Sequence, residues 1–221
     1  MSNALLEAIQ TGDVDRLAKL LTSGADPNTT ITSHYYTMEQ RYPALFFAVR
    51  DLQHPSDEEP GQPIEAVVLL IRHGADVNRW DERHRYTPIL AAVQNEHINA
   101  ARILLAAGAD PNVSDDEGDS PLRICAQKGN LEMARLLLHC GANKTIHEGG
   151  GPTGMNALGF AATSLNIDMV RLLLAHGADP LIEDLDDMTT FKRLGYATLP
   201  QDPTAQDRLR EIRRLLGDPS A

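Results

Sequence analysis

Residues capable of chemistry are plentiful in this chain, but their spacing fits none of the common reactive sites. Gly149-Gly150-Gly151 is followed by no Lys-Ser or Lys-Thr, so it is not a phosphate-cradling loop. The acidic stretches Asp115-Asp116-Glu117 and Glu183-Asp184-Leu185-Asp186-Asp187 lack the alternating aspartates and terminal glutamate of a calcium loop. His73, His139 and His176 each end an apolar helical run, where a partly charged imidazole suits the helix dipole. His147, Cys125 and Cys140 show no zinc-ligand spacing. No serine sits in a nucleophile elbow. The expectation is a protein with no catalytic residues, no metal and no cofactor, hence not an enzyme.

Recognition residues are a different matter. Thr29-Thr30-Ile31-Thr32-Ser33-His34-Tyr35-Tyr36-Thr37 has the β-branched and aromatic make-up of an extended hairpin, with Tyr35 and Tyr36 near its tip. Arg79-Trp80-Asp81-Glu82-Arg83-His84-Arg85 gathers the single tryptophan with Arg79, Arg83 and Arg85, and Trp, Tyr and Arg dominate the energetic centres of interfaces. Asp115, Asp116 and Glu117 supply a surface of the opposite sign. These nine residues are the expected partner-binding set. The formal charge of -11 and pI near 5.1 disfavour nucleic acid and anionic lipid, which are bound through Lys and Arg, and point to a protein partner with a largely basic face. The start of the chain has neither a basic region nor a long apolar run, and no stretch reaches the roughly 20 apolar residues of a membrane span. A cytoplasmic monomer is expected, with Cys125 and Cys140 reduced.

The elements that position these residues are repeats. Leu20-Leu21-Thr22-Ser23-Gly24-Ala25-Asp26-Pro27-Asn28 returns around Gly74, Gly108, Gly141 and Gly177, at spacings of 50, 34, 33 and 36 (24 to 74, 108, 141 and 177). An apolar run of helical period ends in a glycine able to take positive φ, and an Asp or Asn then turns the chain. About a dozen residues on, Tyr42-Pro43-Ala44-Leu45, Thr87-Pro88-Ile89-Leu90 or Ser120-Pro121-Leu122-Arg123 opens a new helix. In the last two a hydroxyl caps the helix and proline fills its first turn.

These phrases resemble the Thr-Pro-Leu-His-x-Ala opening and Gly-Ala-Asp close of the ankyrin repeat, over nearly the whole chain. The resemblance implies an all-α fold, an ankyrin-repeat solenoid of about six helix pairs joined by hairpin-like fingers. The pairs are expected near 3–23, 43–73, 87–107, 120–140, 156–176 and 189–216, within one domain of residues 1–221. The last pair is a polar cap bearing Arg208, Arg210, Arg213 and Arg214. Leu45, Leu90, Arg123 and Gly159 stand where the family has histidine, which implies the loss of a bond that ties neighbouring repeats. About eleven extra residues around 51–62 read as a solvated loop inside the second pair, and the glycine-rich fourth finger, residues 146–154, reads as mobile. The resemblance implies a protein–protein interaction module: an adaptor, regulator or inhibitor that binds through its concave face and fingers. Neutralisation of a cognate toxin or enzyme by a bacterial immunity-type protein, and a scaffold role in a larger complex, are the alternatives.

Overall fold

The structure, a computed structural model, describes residues 2–35, 38–52, 64–81, 86–196 and 202–217. Twelve helices and one antiparallel hairpin occur among them, in two compact units, Met1–Asp110 and Pro111–Ala221. Eleven of the helices have only seven to nine residues. Isolated helices of that length do not persist in water, so packing holds them.

The N-terminal unit contains α1 (Ser2–Gln10), α2 (Val14–Thr22), α3 (Ala44–Arg50), α4 (Ile64–Arg72), α5 (Pro88–Gln94) and α6 (Ile98–Ala106). Strands β1 (Thr30–Tyr35) and β2 (Met38–Pro43) lie between α2 and α3. First helices pack on first helices, α1 on α3 and α3 on α5; second helices follow suit, α2 on α4 and α4 on α6. Leu5, Ile9, Leu17, Leu45, Leu70, Ile89, Leu90 and Leu104 fill the interior.

The C-terminal unit repeats the plan with α7 (Pro121–Lys128), α8 (Leu131–His139), α9 (Ala157–Thr163), α10 (Ile167–Ala175), α11 (Thr190–Tyr196) and α12 (Pro203–Leu216). α7, α9 and α11 form one row; α8, α10 and α12 form the other. Leu122, Met133, Leu137, Leu158, Met169, Leu173 and Leu194 are buried. α12 turns Leu209, Ile212 and Leu216 inward and leaves Arg208, Arg210 and Arg214 exposed, the polar outer face expected of an end repeat.

The boundaries follow the local chemistry. Thr87, Ser120 and Asn156 each accept the N–H three residues on and so cap α5, α7 and α9. At the close of α2, α4, α6, α8 and α10 the alanine after the glycine donates its N–H to the carbonyl of Leu20, Leu70, Leu104, Leu137 or Leu173, at 2.9–3.0 Å. That closure needs a residue with φ of +90° to +95° between them, which glycine takes without steric cost. A Cβ at these five glycines would meet nothing within 4 Å. Backbone conformation, not space, selects them.

Candidate protein-binding surface

Three of the five repeat phrases also stitch their finger to the next through an asparagine. Asn28 Nδ2 donates to the Gly74 carbonyl at 2.9 Å and its Oδ1 accepts from the Asp76 N–H at 2.7 Å. Asn78 treats Gly108 and Asp110 in the same way, and Asn112 treats Gly141 and Lys144. Fingers are thus held at a fixed pitch by side-chain amides, and what they present outward is pre-positioned.

In the N-terminal unit the first finger is the expected hairpin. β1 and β2 pair from Thr30–Pro43 to Tyr35–Met38, which sets Tyr35 in the last pair before the turn. Ile31 and Tyr42 form one buried pair of that register. Tyr36 lies outside the described residues, as do Arg83, Arg85 and residues 53–62 of the second-pair insertion. Arg79 faces the first finger: its guanidinium donates to the Asn28 carbonyl and, at 3.3 Å, to the Thr30 hydroxyl. Trp80, by contrast, is 40% exposed. At the root of these two fingers Tyr42 stacks on Phe46, and the Arg50 guanidinium lies 4.3 Å from the centre of the Tyr42 ring. Burial lowers the Arg50 pKa, but the hydrogen bond and charge of Asp51 outweigh it and raise the net value.

The C-terminal unit sorts its acids into two kinds. Asp115 is buried, and its Oδ1 accepts the N–H groups of Glu117 and Asp119 at 3.0 and 2.8 Å. Burial pushes its carboxyl above the ordinary range, against those donors. Asp184 does the same for Asp186 and Met188, and also accepts from Arg193 Nε at 2.8 Å. Asp81, Asp115 and Asp184 all follow a repeat glycine by seven residues (74 to 81, 108 to 115, 177 to 184), and all three are buried. That spacing was the signal for a finger-folding aspartate. Asp116 and Glu117 are exposed, beside these inward acids.

The fourth finger departs from the mobility that its glycines suggested. Gly151 N–H donates to the Glu117 carbonyl at 2.5 Å, Leu185 N–H donates to the Gly154 carbonyl at 3.2 Å, and His147 Nε2 accepts from the Asp179 N–H at 2.9 Å. A Cβ on Gly150 would fall inside the backbone of Gly118, and one on Gly149 inside the carbonyl of Gly154. Here glycine is selected for close approach, not for freedom. Gly150→Ala is expected to cost about 2 kcal/mol with the secondary structure retained, read as a shifted urea midpoint; an unchanged midpoint would show that the fingers do not touch here.

Arg123 is the functional-looking residue whose role sequence reasoning missed. Its side chain is only 2% exposed. It pairs with Asp119, donates to the Gly150 and Met155 carbonyls and to the Thr153 hydroxyl, and lies 4.8 Å from the centre of the Phe160 ring. Burial lowers the guanidinium pKa, opposed by the charges of Asp115 and Glu117. The expected loss of a tie between repeats therefore does not occur at this position, because arginine makes a longer-reaching one. Leu45 and Leu90, the counterparts in the N-terminal unit, are simply core.

Among the described residues no group of three or more His, Cys, Asp or Glu side chains converges as for a metal ion. No described helix is long and apolar enough to cross a membrane. The family model for ankyrin repeats, in three copies, matches residues 5–115, 58–148 and 107–184. The chain belongs to the ankyrin repeat family. An ankyrin repeat domain from Acinetobacter baumannii AYE superposes with a TM-score of 0.72 at 26% identity, over 96% of this chain and 95% of that one. The ankyrin repeat and SOCS box protein 6 of Mus musculus is 38% identical over 123 residues, 55% of this chain and 26% of that protein. Protein phosphatase 1 regulatory subunit 27 of Homo sapiens is 38% identical over 58 residues, 26% of this chain and 37% of that protein. The chain thus covers well under half of either relative. Ankyrin repeats are protein–protein interaction modules and as a family are generally not enzymes.

Proposed function

We propose that this chain binds a protein partner through its fingers and the adjoining face of its first helices, as a cytoplasmic adaptor, regulator or inhibitor. One observation carries the reading. Of the five large apolar side chains exposed among the described residues, four stand on fingers: Trp80 on the second and Leu181, Ile182 and Leu185 on the fifth. Apolar surface held outward by a fixed hydrogen-bond ladder is what an interface uses. The contact set comprises Trp80 with Tyr35, Tyr36, Arg83 and Arg85, and, as a second contact, Asp116 and Glu117 of the third finger together with Leu181 and Leu185 of the fifth. Arg79 and Asp115 shape the fingers from within. The charge of -11 supports a partner with a basic face and a chain that acts as a monomer. A relative named as a phosphatase regulatory subunit supports regulation.

The test is affinity for a partner captured from the source cell and then purified. Trp80→Ala is expected to weaken binding by about 1–4 kcal/mol in isothermal titration, with the circular dichroism spectrum unchanged. Paired replacement of Leu181 and Leu185 by Ala tests the second contact. Full affinity in both variants would overturn the finger reading.

A further inference from the structure

A cavity of about 340 Å3 opens at the root of the first two fingers of the N-terminal unit. Tyr42, Phe46 and Tyr86 give it aromatic walls, Ala91 lies on the α5 side, and Arg50, Gln94 and Asn95 complete its lining. Its volume is at the low end for ligand sites and ample for one large side chain. Its electrostatics narrow the occupant further. Arg50 already covers the Tyr42 ring at 4.3 Å, so that π face is taken by a cation, and Tyr42 stacks on Phe46. Arg50 Nε is in turn paired to Asp51 at 2.5 Å, which leaves no unanswered positive charge to draw an anion.

The polar groups around the cavity suit a peptide backbone. Asn95 Nδ2 donates to the Arg50 carbonyl at 3.1 Å, which leaves its Oδ1 free to face a ligand N–H. Gln94 is exposed, and its amide both donates and accepts. Tyr86 in the wall belongs to the finger that displays Trp80: the Asp81 N–H donates to the Tyr86 carbonyl at 2.8 Å and closes that finger at its base.

We propose that this cavity is an anchor pocket for one uncharged aromatic or large aliphatic side chain of the protein partner, carried on an extended segment whose backbone meets Gln94 and Asn95. The inference rests on the protein-binding reading and adds the chemistry of what is bound. Trp80 contributes contact area outside the pocket; the pocket supplies selectivity, because it rejects lysine and arginine although the protein as a whole is acidic.

The experiment is a nitrogen-edited NMR titration of the full chain with N-acetyl-tryptophanamide, N-acetyl-leucinamide and N-acetyl-lysinamide. The first two are expected to shift the backbone amides of Tyr86, Ala91, Gln94 and Asn95 saturably, with roughly millimolar dissociation constants. The lysine amide is expected to bind about tenfold more weakly, because the aromatic walls strip water from its ammonium and offer it no free counter-charge. Ala91→Leu fills the cavity and abolishes the shifts. Gln94→Ala, an exposed change that leaves the fold alone, weakens the tryptophan amide about threefold to tenfold by removing one hydrogen-bonding group. Absence of saturable shifts in the wild type, an equal response to the lysine amide, or unchanged titration in a folded Ala91→Leu variant overturns the pocket. Loss of the pocket with the Trp80 effect intact leaves the finger reading standing, whereas fragment binding without any Trp80 effect removes the finger reading alone.

Discussion

Replacing Arg123 by alanine is expected to lower folding stability by about 4 kcal/mol, as much as removing a core leucine. The side chain is 2% exposed and its partner Asp119 only 21% exposed, and Gly150, one of the two carbonyl acceptors, is buried. Its removal leaves Asp119 without its counter-charge and the Gly150 and Met155 carbonyls without donors, and it strips a cation from the Phe160 face. Arg123→Met separates charge from packing: the methylene stem survives, the donors go, and most of the loss should persist. Combining Arg123→Met with Asp119→Ala should then recover part of it, because an absent ion pair is cheaper than half of one. Urea unfolding of the full chain measures all three, with hydrogen exchange at Gly151 and Leu185 as a local readout of the fourth finger. A loss below about 1 kcal/mol for Arg123→Ala, the range of an exposed pair, would mean that the arginine is solvated and does not hold the finger.

How much of this was legible in the sequence depends on the distance over which each residue acts. The helix closures were, because the leucine that accepts, the glycine that turns and the alanine that donates lie within six residues, as in Leu137 to Ala142. The first-finger hairpin was, because β-branched and aromatic residues between two repeat phrases have few other uses. Arg123 was not. Its partners Gly150, Thr153 and Met155 lie 27 to 32 residues downstream, and nothing in its neighbourhood distinguishes a buried arginine from a surface one. Gly149–Gly151 misled for a related reason. Composition reports that glycine permits many conformations, whereas only the facing Gly118 backbone shows that a side chain would not fit. The acids misled by sign alone. Asp115 and Asp116 are adjacent and identical, yet one is a turn's internal acceptor and the other a surface charge. The recurrence of aspartate seven residues after a repeat glycine could have separated them.

The same contrast between an inward and an outward aspartate recurs on the fifth finger, at Asp184 and Asp186. Asp184→Ala is expected to cost about 3 kcal/mol and Asp186→Ala well under 1 kcal/mol, although both aspartates bind the same arginine. Arg193 Nε meets Asp184 Oδ2 at 2.8 Å and Arg193 Nη2 meets Asp186 Oδ2 at 2.7 Å, so distance alone predicts equal effects. Exposure decides between them. The Asp184 side chain is 2% exposed and that of Asp186 is 55% exposed. Losing Asp184 strands two backbone N–H groups and one face of a mostly covered guanidinium; losing Asp186 gives its place to water. Arg193 also donates to the Thr153 carbonyl at 3.0 Å, so slack at Asp184 is passed on to the fourth finger, which Arg123 grips from the other side. The two variants separate folding from recognition. If the exposed leucines at 181 and 185 contact the partner, Asp184→Ala should weaken binding by disordering the finger that carries them. Asp186→Ala should leave both stability and that finger in place, with only a charge removed from the rim. Equal thermal shifts for the two variants would show that the finger is not folded around Asp184, and its leucines would then be free to pack elsewhere.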